Sequence, residues 1–356
     1  MPALHLGRIS APAIGFATLL CAIAFGFLLA RATHRNERGR RRHHASDLFR
    51  LLSGALSGRV SGKTLRRAAH EAEAASFWSA IEALTATLRP RERRELARSL
   101  ERSRHVLAEC RALRDDDDDV RRELAAGRLA LLPLPRARRL LRRTLVRGPE
   151  AVRFAAARAL AAQRDLASLG WLLVHADTLA ARPLPALSGL LRAFGPRGRA
   201  LLVTALERGI VDLHFERAVV DALGLSRCRS ARPGVEARLR SDAVELRIAA
   251  ARALGRIGMG ESIPALMLAL ADSAWPVRAQ AAHALGLLRA TPAVEALAGR
   301  VTDPSWWVRH HAAYALAVIG SEGRDALCEL VVRSEDGFAR EMAREALDRA
   351  VARRSA

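Results

Sequence analysis

Aromatic and imidazole side chains are scarce in this 356-residue chain, which has one tyrosine and five tryptophans, and several of them fall together. Trp275 and Trp306 stand 31 residues apart (306 − 275), as do His283 and Tyr314 (314 − 283). Trp307, His311 and Tyr314 follow i, i+4, i+7, the spacing of one helical face. Exposed Trp and Tyr concentrate binding energy, so the first chemistry these residues suggest is contact with a partner. Rings of this size also pack between neighbouring helices, and spacing alone does not separate the two roles. His283, His310 and His311 raise metal ligation as a second chemistry, against which adjacent histidines on a helix point to different faces. Arg252 joins the set because Arg252, His283, Tyr314 and Glu345 recur at one position and change chemistry at each step. Ile248, Ala279, His310 and Glu341 do the same. Columns that vary in this way face solvent or a partner.

Other chemistry fails on its spacing. His70-Glu71 opens a zinc-protease pattern, but its second histidine is replaced by Ala74. Gly58 to Thr64 has the ending of a phosphate-binding loop, yet the first glycine is replaced by Ser57 and no apolar strand leads in. Asp115 to Asp119 lacks the alternating ligands and glycine of a calcium loop and is expected to complement a helix N-terminus. No Ser, His and acid set, paired-carboxylate motif or phosphate cradle is present, so neither catalysis nor a cofactor is expected. Cys110, Cys228 and Cys328 are far apart and suit free thiols; Cys21 follows Leu20 rather than the small residue a lipidation signal needs.

The elements that carry these residues are written as a repeat. Arg247, Arg278, Arg309 and Arg340 share one column at steps of 31 (278 − 247, 309 − 278, 340 − 309), with Leu254, Leu285, Leu316 and Leu347 in a second and Asp272 and Asp303 in a third. Leu160, Leu191, Leu223 and Leu254 keep the phase upstream, at steps of 31, 32 and 31. Leu246, Ala249, Ala250, Ala253, Leu254 and Ile257 lay one apolar stripe along a helix. Small alanines let neighbouring helices approach, Asp272 and Asp303 read as caps, Pro276 fits a first turn, and Gly258 and Gly320 end helices. The expected fold is all-α: helix pairs stacked into a solenoid over 135–356, with degenerate repeats over 63–134.

At these residues the chain resembles the HEAT family, most closely the short repeats named after phycobilisome lyases, with their Asp-x-x-x-x-VR-x-x-AA-x-AL-G pattern. The resemblance covers 241–320 best. It implies that Arg247, Asp272, Arg278, Asp303 and Arg309 form a structural ladder from one repeat to the next rather than a ligand site.

Composition adds a charge of +21, but Lys63 is the only lysine, so the excess arginine reads as coding bias as much as a partner signal. The arginine-rich segment Pro135 to Gly148, including Arg136, Arg138, Arg139, Arg142 and Arg143, lacks interleaved aromatics, and nucleic acid is not the expected partner. Residues 11–30 carry no charge and have the length of a transmembrane helix following a short N-terminus, 1–10. Thr18, Ala22, Gly26 and Ala30 would make a helix-packing face within it. Arg8 alone precedes this span, whereas Arg31, Arg35, Arg38, Arg40, Arg41 and Arg42 follow, so the positive-inside rule puts the solenoid in the cytoplasm and the basic linker, 31–62, against anionic lipid. The sequence thus predicts a single-pass inner-membrane scaffold of a bacterial cell, whose repeats bind another protein of an envelope polysaccharide synthase or signalling assembly. The alternative it leaves open is a HEAT-like enzyme, of the phycobilin-lyase or DNA-glycosylase kind. The partner's identity, the oligomeric state and the number of upstream repeats are not legible.

Overall fold

The computed structural model describes residues 46–54 and 59–355, and every regular element among them is helical. The chain divides into two compact units between Leu140 and Leu141.

In the first unit, residues 46–54 form a helix that buries Leu48 and Leu52. Helices Gly62–Glu71, Ala74–Thr87, Pro90–Leu100, Arg104–Asp115 and Asp119–Leu131 follow. The sequence reads as one continuous helix from Glu92 to Arg114, but the structure breaks it after Leu100. Ser103 is the reason: its hydroxyl accepts from the Val106 amide and starts a new helix there. Phe77, Ile81, Leu84, Leu96 and Leu113 form the core. The aspartate run closes one helix and opens the next, with Asp118 accepting from the Val120 amide and Asp115 paired to Arg114 at 2.7 Å.

In the second unit two rows of helices alternate along the chain. We label one row α1 (Glu150–Ala162), α2 (Leu184–Ala193), α3 (Leu213–Leu225), α4 (Val244–Ile257), α5 (Trp275–Leu287), α6 (Trp306–Ile319) and α7 (Gly337–Ser355). The helices between them, among them Gly195–Arg208, Ile263–Ala269, Val294–Arg300 and Ser321–Arg333, make the other row. Each numbered helix packs against the next, which is a solenoid. The apolar stripe of α4 is buried along its length, and Leu160, Leu191, Leu223, Leu254, Leu285 and Leu316 all lie at 0% exposure, so one leucine per repeat makes the spine.

Two backbone features keep the phase. Gly224, Gly255 and Gly286 lie where a Cβ would meet the Cα of Ala253, Ala284 and Ala315 at 2.8–2.9 Å, closer than side chains tolerate, so glycine lets α3 to α6 approach backbone to backbone. The chain then turns out of the numbered helices through a left-handed residue. Arg164, Gly195, Arg227, Gly258 and Arg289 have φ between 48° and 77° and keep the repeat spacing, with three arginines held in a conformation that favours glycine.

The membrane placement needs correction. Among the described residues no helix is long and apolar enough to cross a membrane. The longest numbered helix, α7 at 19 residues, carries Arg340, Glu341, Arg344, Glu345, Asp348 and Arg349. The span expected at 11–30, its face of Thr18, Ala22, Gly26 and Ala30, and the lipid contact of Arg31 to Arg42 lie outside the described residues. The single-pass inner-membrane reading is withdrawn.

Candidate functional site

The aromatic and imidazole residues gather on α5, α6 and the start of the contact with α7. Trp306 stacks on His310 with centroids 4.9 Å apart and 20° between planes, and His310 lies 4.2 Å from Tyr314. Trp307 meets Trp306 edge-on at 4.9 Å, and His311 approaches both His310 at 5.5 Å and His283 of α5 at 5.3 Å. The stacked rings therefore follow i, i+4, i+8 from Trp306, one residue away from the Trp307, His311, Tyr314 face read from the sequence. Four-residue steps form the ridge along which helical side chains touch in succession. Trp275, Trp306 and Trp307 are 45%, 47% and 53% exposed, in a unit whose other large side chains are mostly inside.

The varying column runs one repeat further than the sequence reading took it. Asp221 of α3 precedes Arg252 by 31 residues (252 − 221), is 6% exposed, and lies 3.9 Å from Arg252 and 3.7 Å from Arg256. At the other end the Tyr314 hydroxyl donates to Glu345 Oε1 at 3.3 Å, while Arg349 lies 5.0 Å over the Tyr314 ring and 2.8 Å from Glu345. The same step that linked Arg252 to His283 leads back to Asp221, so the column itself was the missed signal.

Burial lowers the pKa of His283, His310 and His311 and is the largest cause for each. Arg256 adds to it at His283, the pull of Glu345 opposes it at His310, and the neighbouring His283 and His310 take His311 down to about 4. The three rings are thus neutral at pH 7 and act as flat, weakly polar surface. His310 Nδ1 is buried without a hydrogen-bond partner. Among the described residues no group of three or more His, Cys, Asp or Glu is placed to hold a metal ion.

Two clefts open beside these rings. One, of about 470 Å³, is lined by His283, Leu287, His310, His311, Tyr314 and Val318 among others. The other, of about 370 Å³, is lined by Arg289, Arg324, Arg349, Tyr314, Val318 and Ala350 among others. Arg289, Tyr314 and Val318 border both.

The repeat arginines form a separate system. Arg247 donates from Nε and Nη2 to the two carboxylate oxygens of Asp272 at 2.8 and 2.9 Å, and Arg278 does the same to Asp303 at 2.8 and 2.8 Å. Their Nη1 atoms reach back to loop carbonyls, Ser241 and Asp242 for Arg247, Asp272 and Ser273 for Arg278. Arg309 lies 4.0 Å from Asp336. Asp272 and Asp303 also accept from the amides of Ala274 and Ser305 at 2.8 and 2.9 Å. These are turns just ahead of the helices; Ala274 and Ser305 occupy the cap positions the sequence reading gave to the aspartates. Burial alone would raise both carboxyls, but the arginine hydrogen bonds, the backbone amides and the guanidinium charges outweigh it and the net shift is downward. Two further buried acids, Glu109 between Arg121 and Arg128 and Asp165 on Arg142, follow no repeat spacing and were not legible, whereas Glu216, on Arg238, stands one repeat before Arg247 in the ladder column (247 − 216 = 31). Arg142 of the arginine-rich helix Pro135–Arg147 is committed to Asp165, and Leu141 and Leu145 of that helix are buried.

Comparison with known proteins bears on the repeats. Residues 212–286 and 263–348 match the family described as HEAT repeats. No curated protein matches the chain. Similar solved structures include the E. coli protein YibA, 14% identical over 88% of this chain and 97% of that one with a TM-score of 0.37. Human deoxyhypusine hydroxylase in complex with glycerol is 20% identical over 89% and 99%, with a TM-score of 0.32. Kap121p is 13% identical over 84% of this chain and 42% of that one, with a TM-score of 0.48. The family match places HEAT repeats at residues 212–348 of an all-α solenoid.

Proposed function

We propose that this protein is a scaffold whose HEAT repeats bind another protein through the surface made by Trp275, Trp306, Trp307, His283, His310, His311 and Tyr314. The observation that supports it most is the exposure of three tryptophans at successive repeats. Burying such side chains against water is unfinished in the isolated chain, and large aromatic side chains are the residues that dominate interface energies. HEAT solenoids are commonly used for protein binding. Arg252, one repeat before His283 in the varying column, lies against Asp221 of α3, whereas Arg247, Asp272, Arg278, Asp303 and Arg309 act within the stack. An enzyme of the lyase or glycosylase kind is the less supported reading, because none of the three imidazoles hydrogen-bonds a carboxylate among the described residues, so no acid and base pair is assembled beside the clefts. The two client assemblies named from the sequence depended on the membrane anchor and are withdrawn with it.

The test is site-specific photocrosslinking in cells. A photoreactive phenylalanine analogue at position 275 or 307 is expected to trap one discrete protein, and Trp306→Ala is expected to abolish the product. The same analogue at Val332, 80% exposed, is the control position. No product at 275 and 307, or the same products at 332, counts against the scaffold.

A further inference from the structure

The cleft of Arg289, Arg324 and Arg349 shares Tyr314 and Val318 with the cleft of the imidazoles, yet its chemistry is different. We propose that it binds an acidic segment of the partner protein, with carboxylates on Arg289 and Arg324 and an apolar side chain in the adjoining cleft against Leu287, Val318, Tyr314 and His311. This rests on the scaffold reading and names the chemistry of the partner.

Charge complementarity carries the assignment. Arg349 is already answered by Glu345 at 2.8 Å, but neither Arg289 nor Arg324 has a carboxylate partner among the described residues. Four other arginines of this unit, Arg142, Arg238, Arg247 and Arg278, are engaged with Asp165, Glu216, Asp272 and Asp303. Two unanswered guanidinium groups beside an apolar cleft suit a ligand that brings its own carboxylates, since the planar guanidinium matches that group in two-point hydrogen bonding.

The backbone adds a second observation. Arg289 has φ 49° at a position that Gly195 and Gly258 fill in two other repeats and Arg164 and Arg227 in two more. Holding a residue with a Cβ there is unfavourable by about 1 kcal/mol relative to glycine, so the side chain is present against the local preference of the turn. Arg289 lines both clefts. Nucleic acid fits less well, because Glu341, Glu345 and Asp348 on α7 interrupt any continuous basic track beside the cleft.

The turn also supplies a clean variant. Arg289→Gly removes the charge while giving the backbone the residue its conformation prefers, so folding is maintained. Paired with Arg324→Ala, it is compared with Arg227→Gly plus Arg208→Ala, which removes the same charge from another left-handed turn (φ 48°) and an exposed helix end. The probe is a fluorescein-labelled peptide, Asp-Glu-Phe-Asp-Glu-Leu, titrated into the full chain by anisotropy, with a Lys-for-acid version as control. The expected result is saturable binding of the acidic peptide, weakened about tenfold or more in the Arg289, Arg324 variant, as loss of charge-assisted hydrogen bonds dictates, and little changed in the charge-matched control. Equal loss in both variants, equal binding of the basic peptide, or displacement by a 20-nucleotide single strand that itself depends on Arg289 and Arg324 would overturn the proposal. The peptide assay needs no cellular partner. Binding there with no crosslink at 275 or 307 would sink the scaffold and spare the cleft, whereas a crosslink that survives Arg289→Gly with Arg324→Ala would do the reverse.

Discussion

Arg278 holds both carboxylate oxygens of Asp303 at 2.8 Å while its third nitrogen caps the carbonyls of Asp272 and Ser273, so one side chain ties its own loop to the next repeat. Asp303 is 3% exposed. Removing one partner strands a buried charge, which costs about 3 kcal/mol or more. Arg278→Ala and Asp303→Ala should each lower the Tm by several degrees, with a double-mutant cycle showing strong coupling. Arg309→Ala, whose contact to Asp336 is 4.0 Å long, should cost less. Calorimetry on the three variants and the double variant checks the order.

The close approach of α4 and α5 at Gly255 predicts an opposite kind of failure. Gly255→Ala introduces a methyl group 2.9 Å from the Ala284 Cα, where backbone rather than a flexible side chain must yield. Overpacking of this sort costs about 1–3 kcal/mol. Gly258→Ala, in the left-handed turn at φ 77° with open space around it, should be destabilising through backbone strain alone, by about 1 kcal/mol. Urea denaturation should show a lower midpoint for both, larger for Gly255→Ala.

The imidazole cluster predicts how stability follows pH. His283, His310 and His311 have folded pKa values below their unfolded value near 6.5, that of His311 at about 4. The unfolded chain therefore binds more protons between these limits, and stability falls as pH drops from about 6.5 toward 4. Asp272 and Asp303 shift downward instead, so their contribution is present above about pH 4 and is lost only below it. A Tm series from pH 7.5 to 4.5 should decline, and His311→Gln should flatten it; an unchanged slope in that variant would exclude the buried imidazole as the cause.

Trp306→Ala and Trp307→Ala should separate binding from folding. Both rings are about half exposed, so their removal should change stability by no more than about 1 kcal/mol. Loss of the crosslinked product with an unchanged melting curve is the outcome expected of a contact surface. A fall in Tm comparable to that of Arg278→Ala would mean that the rings hold the repeats together instead.

The sequence by itself determined the helical class, the 31-residue phase and the spine, because a core leucine and a ladder arginine must recur wherever the same packing recurs. Residues such as Leu254 and Arg278 are legible for that reason, whereas the close approach at Gly255 was not read from it. Only the tertiary structure decided which atoms meet across repeats. It stacked His310 rather than His311 between Trp306 and Tyr314, brought Asp221 to Arg252, and gave the cap positions to Ala274 and Ser305. Periodicity fixes the face on which a residue lies, but rotamer and helix crossing fix which neighbour it touches. The clefts belong to this second class. Arg289 and Arg324 share no repeat column, and they border one cleft only because a left-handed turn and the following helix bring them to the same side of α6.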